Sequence, residues 1–173
     1  MGYTTDFSGE FKLDRPLTVA HKTYLEKFND TRRMKRSASK TEKRDDPVRL
    51  AVGLPVGPEG AFFVGEDGMC GQDNGPDVVD HNRPPKGQPG LWCKWVPNEE
   101  GTAIGWDGAE KFYDYVEWLA YLIDNFLEPW GYKLNGMVEW EGEESEDVGR
   151  IHVKDNRVSA KQAEVVHPEP DWD

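Results

Sequence analysis

Apolar side chains recur at helical spacing in two segments of the chain. In the first segment, which follows Pro16, the positions i, i+3, i+4 and i+7 are occupied by His21, Tyr24, Leu25 and Phe28. Side chains at this spacing share one face of a helix. The pattern therefore predicts a short helix with one face on the core, and Thr18 is placed to cap its N-terminus.

The second helical pattern is longer and runs from about residue 108 to residue 128. Its apolar stripe comprises Phe112, Val116, Leu119, Ile123, Phe126 and Trp130. Asp107 is a good N-cap, and Glu110, three residues later, completes an acidic variant of a capping box. The sequence Pro-Trp-Gly at 129–131 ends the pattern, because proline and glycine interrupt helices. We therefore predict an amphipathic helix that covers a sheet.

Alternation of apolar and polar residues predicts the strands. The alternating segments are residues 7–13, 91–96, 102–106, 132–140 and 150–154, with a short apolar run at 61–64 as a further candidate strand. Turn-forming residues at 97–101 and at 155–156 join neighbouring strands. Most strands are therefore expected to pair with their neighbours in an antiparallel sheet.

The order of these elements predicts an α+β fold, with two helices packed on one face of a mostly antiparallel sheet. The order is ferredoxin-like, βαββαβ, with an added C-terminal hairpin. We predict a single domain over residues 1–158 and a flexible acidic tail at 159–173. Within the domain lie a basic arm at 31–46 and a long irregular loop at 65–90.

Charge is unevenly distributed along the 173 residues, which contain 21 Lys and Arg and 33 Asp and Glu for a net charge of −12. Residues 31–44 hold seven basic residues and one acidic residue, a local charge of +6, so the remainder carries −18. Stable binding of duplex nucleic acid is not expected, because the acidic remainder would repel it. The basic arm lacks apolar periodicity and is predicted to be a solvated extension or mobile. Its candidate ligands are phosphate, RNA and an acidic partner. We favour pairing with the acidic surface of this chain or of a second copy, which leaves a homodimer open.

The two cysteines, Cys70 and Cys93, form no CxxC motif. The N-terminal residues are too polar for a secretory signal. No run approaches about 20 apolar residues, the length that spans a membrane. We therefore predict a cytoplasmic protein with two free thiols and no membrane association. A single disulfide is the alternative.

Acidic and histidine side chains are the candidates for metal binding and catalysis. The loop at 66–81 contains Glu66, Asp67, Asp73, Asp77, Asp80 and His81. Such oxygen ligands suit Ca²⁺ or Mg²⁺, but the spacings of EF-hands and of zinc sites are missing. We therefore predict no metal site, no cofactor and no catalytic residue, because serine, cysteine and nucleotide-binding motifs are missing as well. His21 is expected in the core and His152 on the outer face of a strand.

The region from residue 80 to residue 95 has the composition of a binding surface. Its prolines reduce the entropic cost of presenting that surface. Arginine offers a planar bidentate donor and tryptophan a flat apolar area, and these residue types dominate binding hot spots. The predicted binding residues are Asp80, His81, Arg83, Trp92 and Trp95. The favoured alternative is that both tryptophans belong to the core and that Arg83 ties the loop to an acidic neighbour.

Several short motifs give the chain a resemblance to other sequences. They are GYTTDF at 2–7, NRPP at 82–85, GLWC at 90–93, WDG at 106–108, EK at 110–111 and GRIHVKDN at 149–156. With these motifs the chain resembles a group of uncharacterised small acidic proteins carried by bacteria and their phages, over most of residues 2–158. The resemblance implies a bacterial or phage accessory protein of the cytoplasm and supplies no catalytic residue.

Three functions follow as hypotheses. The first is a non-enzymatic binding protein that presents the region 73–95 to a protein or a small nucleotide-like ligand. The second is an interaction protein whose acidic surface mimics nucleic acid and so inhibits a host enzyme. The third is a metal-dependent enzyme that uses the acidic loop at 66–81.

Overall fold

A long strand near the N-terminus lies inside the main sheet of this computed structural model, which describes residues 2–65 and 75–163. The strands are β1 (Thr5–Leu13), β2 (Lys35–Arg36), β3 (Val78–Asp80), β4 (Trp95–Pro97), β5 (Ala103–Trp106), β6 (Leu134–Gly142), β7 (Val148–Lys154) and β8 (Arg157–Gln162). Six of them form one antiparallel sheet in the order β4-β5-β1-β6-β7-β8, and β2 and β3 form a separate antiparallel pair. The predicted α+β class with a mostly antiparallel sheet is confirmed.

Four α-helices and two irregular turns complete the described chain. They are α1 (Val19–Asp30), α2 (Ala38–Thr41), α3 (Pro47–Ala51), a 3-10 turn (Pro58–Gly60), α4 (Tyr115–Leu122) and a π-helical turn (Ile123–Leu127). Helix α1 begins where the sequence predicts, with the Thr18 side chain accepting the His21 backbone N–H at 3.2 Å. Tyr24, Leu25 and Phe28 are buried, as the apolar spacing indicates.

The core is rich in aromatic rings. Its fully buried large side chains include Trp95, Trp118, Tyr24, Phe28 and Phe126. The rings of Phe28 on α1 and Trp118 on α4 meet edge to face at 5.9 Å, so the two main helices contact each other directly. Since each ring removes a large apolar area from water, these few side chains supply much of the hydrophobic stabilisation.

The second main helix starts later than predicted, at Tyr115 instead of residue 108. Lys111 and Asp114 have positive φ angles of 63° and 55°, which a right-handed helix does not contain. Asp107 accepts the backbone N–H of Ala109 at 2.8 Å, as in a local turn, and does not cap the helix. The predicted capping box at Asp107 is therefore wrong.

Two of the predicted strands are also corrected. Residues 61–64 form a turn after the 3-10 helix and no strand. The carbonyls of Ala61 and Phe63 accept hydrogen bonds from the Arg33 guanidinium at 2.6 and 2.7 Å. These carbonyls therefore have hydrogen-bond partners without pairing to another strand. The strand predicted at 91–96 is reduced to β4, which begins only at Trp95.

The basic arm is not a solvated or mobile extension, and that prediction is wrong. Arg33 and Arg36 are only 2% and 3% exposed. The backbone carbonyls of Ala61 and Phe63 accept hydrogen bonds from the Arg33 guanidinium. The Asp77 carboxylate pairs with Arg36 at 2.7 Å. Arg44 also reaches Asp77, at 3.2 Å, so one buried carboxylate pairs with two arginines of the arm.

The turn of the C-terminal hairpin, between β7 and β8, lies at residues 155–156 as the sequence predicts. Asp155 and Asn156 have φ angles of 46° and 70°, the backbone that a tight two-residue hairpin turn requires. Strand β8 continues to Gln162, past the domain boundary predicted at residue 158. The rest of the predicted tail, residues 164–173, lies outside the described residues, as do residues 66–74 with Cys70.

Phe112 offers a test of the core next to the irregular segment. Its side chain is 1% exposed, whereas its neighbour Tyr113 is 50% exposed. We expect Phe112→Ala to lower the free energy of unfolding by about 3–5 kcal/mol, because it leaves a cavity among aromatic rings. Tyr113→Ala is the matched control and should change it by less than about 1 kcal/mol. Equal denaturation midpoints for the two variants would contradict this packing.

Candidate functional site

Three of the predicted binding residues, Asp80, His81 and Arg83, lie at the end of β3 and in the turn that follows it. Arg83 has an 80% exposed side chain and pairs with Asp80 at 3.6 Å. The backbone carbonyl of His81 accepts a hydrogen bond from Arg32 Nε at 3.0 Å. Arg83 thus pairs with an acidic neighbour three residues earlier in the chain.

The two predicted tryptophans are not equivalent. Trp95 is 1% exposed, and its indole N–H donates to the Tyr115 carbonyl at 2.8 Å. It belongs to the core and presents no surface to a partner. Trp92 is half-buried. Among the described residues, no hydrogen bond, ion pair or ring contact joins Arg83 to either tryptophan.

The acidic loop offers little to a metal ion in its described part. The Asp77 carboxylate accepts hydrogen bonds from Thr41 at 2.9 Å and from Arg36, and pairs with Arg44, which leaves it neutralised. Residues 2–65 and 75–163 contain no cluster of three or more histidine, cysteine or acidic side chains suited to a metal. Glu66, Asp67 and Asp73 lie outside the described residues.

Cys93 is a poor nucleophile. Its side chain is fully buried, and burial raises the pKa of the thiol to about 12. Since the thiolate is the reactive form of cysteine, the group is inert at neutral pH.

His21 lies in a ring cluster at the edge of the core. It stacks on Trp130 with ring centres 4.0 Å apart, and its Nδ1 is 2.8 Å from the Tyr132 hydroxyl. That hydroxyl accepts the Thr18 backbone N–H, so we assign its own proton to His21 Nδ1. Burial, with a smaller effect of Arg15, lowers the pKa of His21. The imidazole is therefore held neutral as an acceptor.

A concave surface lies on the solvent-exposed face of the sheet. Alternate residues of β1, β6 and β7 are exposed, whereas their neighbours Phe11, Val138 and Ile151 are buried. A groove of about 580 Å³ crosses β1, β6, β7 and β8 on this open face. It is called the sheet groove below. His152 lies in it on an exposed strand position, as the alternation predicts.

The sheet groove has one acidic and one basic wall. Strands β1 and β6 contribute Asp6, Glu139 and Glu141, and strands β7 and β8 contribute Arg150, His152 and Lys161. An ion pair between Glu139 and Arg150, at 3.3 Å, joins the two walls. The groove can therefore hold a partner whose positive and negative groups are arranged in the opposite order.

Like charges face each other directly within each wall. In the sheet register, Asp6 lies opposite Glu141, and Arg150 lies opposite Lys161. Directly opposed like charges destabilise a sheet. Lys154 opposite Arg157 extends the basic row beyond the groove. The isolated protein thus carries repulsions that a charged partner would relieve.

Two turns set this arrangement of charges. Asp147 holds the turn between β6 and β7, because it accepts hydrogen bonds from the Tyr3 hydroxyl at 2.7 Å and the Trp140 indole at 3.0 Å. Asn156 fixes the next turn by accepting the Leu134 N–H at 2.6 Å. Sequence reasoning missed the groove, although the alternating charges of residues 139–161 are visible. Which charges face each other depends on the pairing register of β6 and β7. The acidic residues of the turn at 143–147 do not determine that register.

Lys161 tests the repulsion in the basic wall. We expect Lys161→Glu to raise the free energy of unfolding by about 0.2–1 kcal/mol, because it turns a like-charge pair with Arg150 into an opposite-charge pair. Lys133→Glu makes the same change of net charge just before β6 and should bring no gain. Urea denaturation at low salt measures both. A gain for Lys133→Glu as large as that for Lys161→Glu would assign the effect to net charge.

His21 predicts a pH dependence of stability. Its pKa is lowered on folding, so the unfolded chain binds a proton more readily, and stability falls as the pH drops below the ordinary histidine pKa of about 6.5. His21→Asn keeps an acceptor near the Tyr132 hydroxyl and does not titrate. Between about pH 7.5 and about pH 5, the wild type should lose more unfolding free energy than this variant. Parallel stability curves would contradict the assignment.

Comparison of the chain with protein-family models, with curated proteins and with solved structures finds no match. Among the described residues, no helix combines the length and apolar character needed to cross a membrane. The candidate site therefore rests on its own geometry.

Proposed function

We propose that this protein is a non-enzymatic binding protein and that the sheet groove holds a partner protein. The observation that carries the proposal is the two pairs of directly opposed like charges, Asp6 with Glu141 and Arg150 with Lys161. A partner with complementary charges relieves both repulsions on binding. The complex then has a lower electrostatic free energy than the two separate proteins, because the partner's charges offset the repulsion within each wall.

The nature of the groove favours a protein over an apolar small molecule. Pockets for small molecules are lined mainly by apolar and aromatic side chains with few polar groups. This groove is also bordered by Phe7, Trp140 and Val148, but five charged side chains line it. The groove spans four strands, and its backbone floor belongs to a rigid sheet. Complementary charge then gives specificity and fast association.

The finer description of the fold supports this proposal. We infer a ferredoxin-like arrangement with a C-terminal hairpin, in which α1 and α4 cover the same face of the sheet. The antiparallel order β4-β5-β1-β6 supports it, as does the contact between Phe28 and Trp118. In such an arrangement the opposite face has no helix over it and is free for a partner.

The other hypotheses have less support. Mimicry of nucleic acid requires a continuous acidic surface, and the basic row on β7 and β8 interrupts it on this face. The metal-dependent enzyme depends on residues 66–74, outside the described residues. A cytoplasmic location and a bacterial or phage origin remain proposals that rest on the resemblance of the sequence.

The test is affinity capture from a bacterial lysate with four forms of the protein. Wild type is compared with Lys161→Glu and Glu141→Lys, which reverse one charge on each wall, and with Lys133→Glu as the control. We expect a protein that wild type and control retain, that both groove variants lose, and that higher salt releases because the contact is electrostatic.

The captured protein is then purified and its affinity is measured directly. We expect at least about a tenfold weaker affinity for each groove variant, which corresponds to about 1.4 kcal/mol. Equal recovery of the same proteins by all four forms would overturn the proposal, and so would equal affinities of the purified partner.

A further inference from the structure

We propose that a second site, formed by α2 and the segment before β3, binds a small phosphorylated molecule. The site is a cavity of about 420 Å³ lined by Lys40, Lys43, Arg44, Gly75, Pro76 and Asp77. It shares no residue with the sheet groove. It is called the basic cavity below.

The basic cavity contains more positive charge than its own carboxylate can balance. Asp77 already pairs with Arg36 and Arg44, at 2.7 and 3.2 Å. Burial opposes ionisation of Asp77, but hydrogen bonds from Thr41 and Arg36 and the positive charges of Arg36 and Arg44 outweigh it, so that the pKa of Asp77 is lowered. One carboxylate thus faces two arginines and the exposed lysines Lys40 and Lys43. The excess matches an anion with two or more charges, such as a phosphate ester.

Arg44 is held in position for such a ligand. Its guanidinium lies over the Phe63 ring at 4.8 Å and bonds to Asp77 through one nitrogen. Arg36 lies over the same ring at 4.5 Å. A guanidinium has five N–H donors in a rigid fork, and the Arg44 side chain is still 37% exposed. Donors remain for a phosphate, and little entropy is lost in ordering them.

Size and charge distribution select a small ligand. The volume falls within the range of about 300–1,000 Å³ that holds small molecules, and a duplex does not fit it. The remainder of the chain is strongly acidic. Charges more than about 8–10 Å away are screened at physiological salt, so a compact anion inside the cavity senses mainly its lysines and arginines.

The experiment is calorimetric titration of the full chain with sodium pyrophosphate at constant ionic strength, with sodium sulfate as the comparison. We expect pyrophosphate to bind more tightly than about 1 mM. The double variant Lys40→Gln with Lys43→Gln should weaken binding by about tenfold or more, since it removes two charge-assisted donors. Lys133→Gln should bind as wild type does. Both lysines are exposed, so the double variant is expected to fold.

Three results would overturn the proposal. The first is no binding by wild type, and the second is equal binding by wild type and the double variant. The third is loss of binding in Lys161→Glu, which would place the anion in the sheet groove. A variant with Glu66→Gln, Asp67→Asn and Asp73→Asn completes the design. Binding of pyrophosphate by this variant alone is a case of the first result and overturns the proposal in the same way.

Discussion

The pairing of β1 with β6 fixes both the core and the open face of the sheet. Along this ladder Phe7 lies opposite Trp140, whereas the alternate positions place Asp6 opposite Glu141. The rings of the first pair pack towards the aromatic core, where Phe7 contacts Trp95 at 5.4 Å, although both residues also border the sheet groove. The carboxylates of the second pair lie in the groove on exposed positions. Because side chains alternate along a strand, a shift of one residue would bury the carboxylates and expose the rings. The burial of the rings therefore also holds the acidic wall together against its own repulsion.

The spacing of apolar residues correctly predicted those helices and strands that have one buried face and one solvent-exposed face. The alternation at 150–154 placed Ile151 inside and His152 outside, and the spacing of Tyr24, Leu25 and Phe28 gave the buried face of α1. The start of α4 was missed, because Phe112 has the right spacing for a helix but is buried by an irregular segment with left-handed residues. Spacing records which side chains are buried and does not record the backbone that buries them.

The basic arm shows the same limit for charged residues. A run of arginines without apolar periodicity has the appearance of a solvated face, and yet Arg33 is buried over the Phe28 ring at 4.3 Å. Its acceptors are carbonyls of the turn at 61–63 and the side chain of Gln88, which is 3.4 Å from Arg33 Nε. These partners come from distant parts of the chain. Neither they nor the pairing with Asp77 could be predicted from the sequence of the arm. Trp95, one of the predicted binding residues, lies in the core for a related reason, because its packing partners come from distant parts of the chain.

The two basic regions of this acidic protein are stabilised in different ways. In the arm, Arg36 and Arg44 share one carboxylate and one aromatic ring, so both side chains are held in place within the chain although one negative charge balances only part of their positive charge. On the open face, Arg150 has Glu139 on one side and Lys161 on the other, so attraction and repulsion act on the same side chain. Replacing one member of an opposed like-charge pair would stabilise the monomer. The stability of the monomer therefore does not account for these pairs, whereas the proposed binding of a partner with complementary charges does.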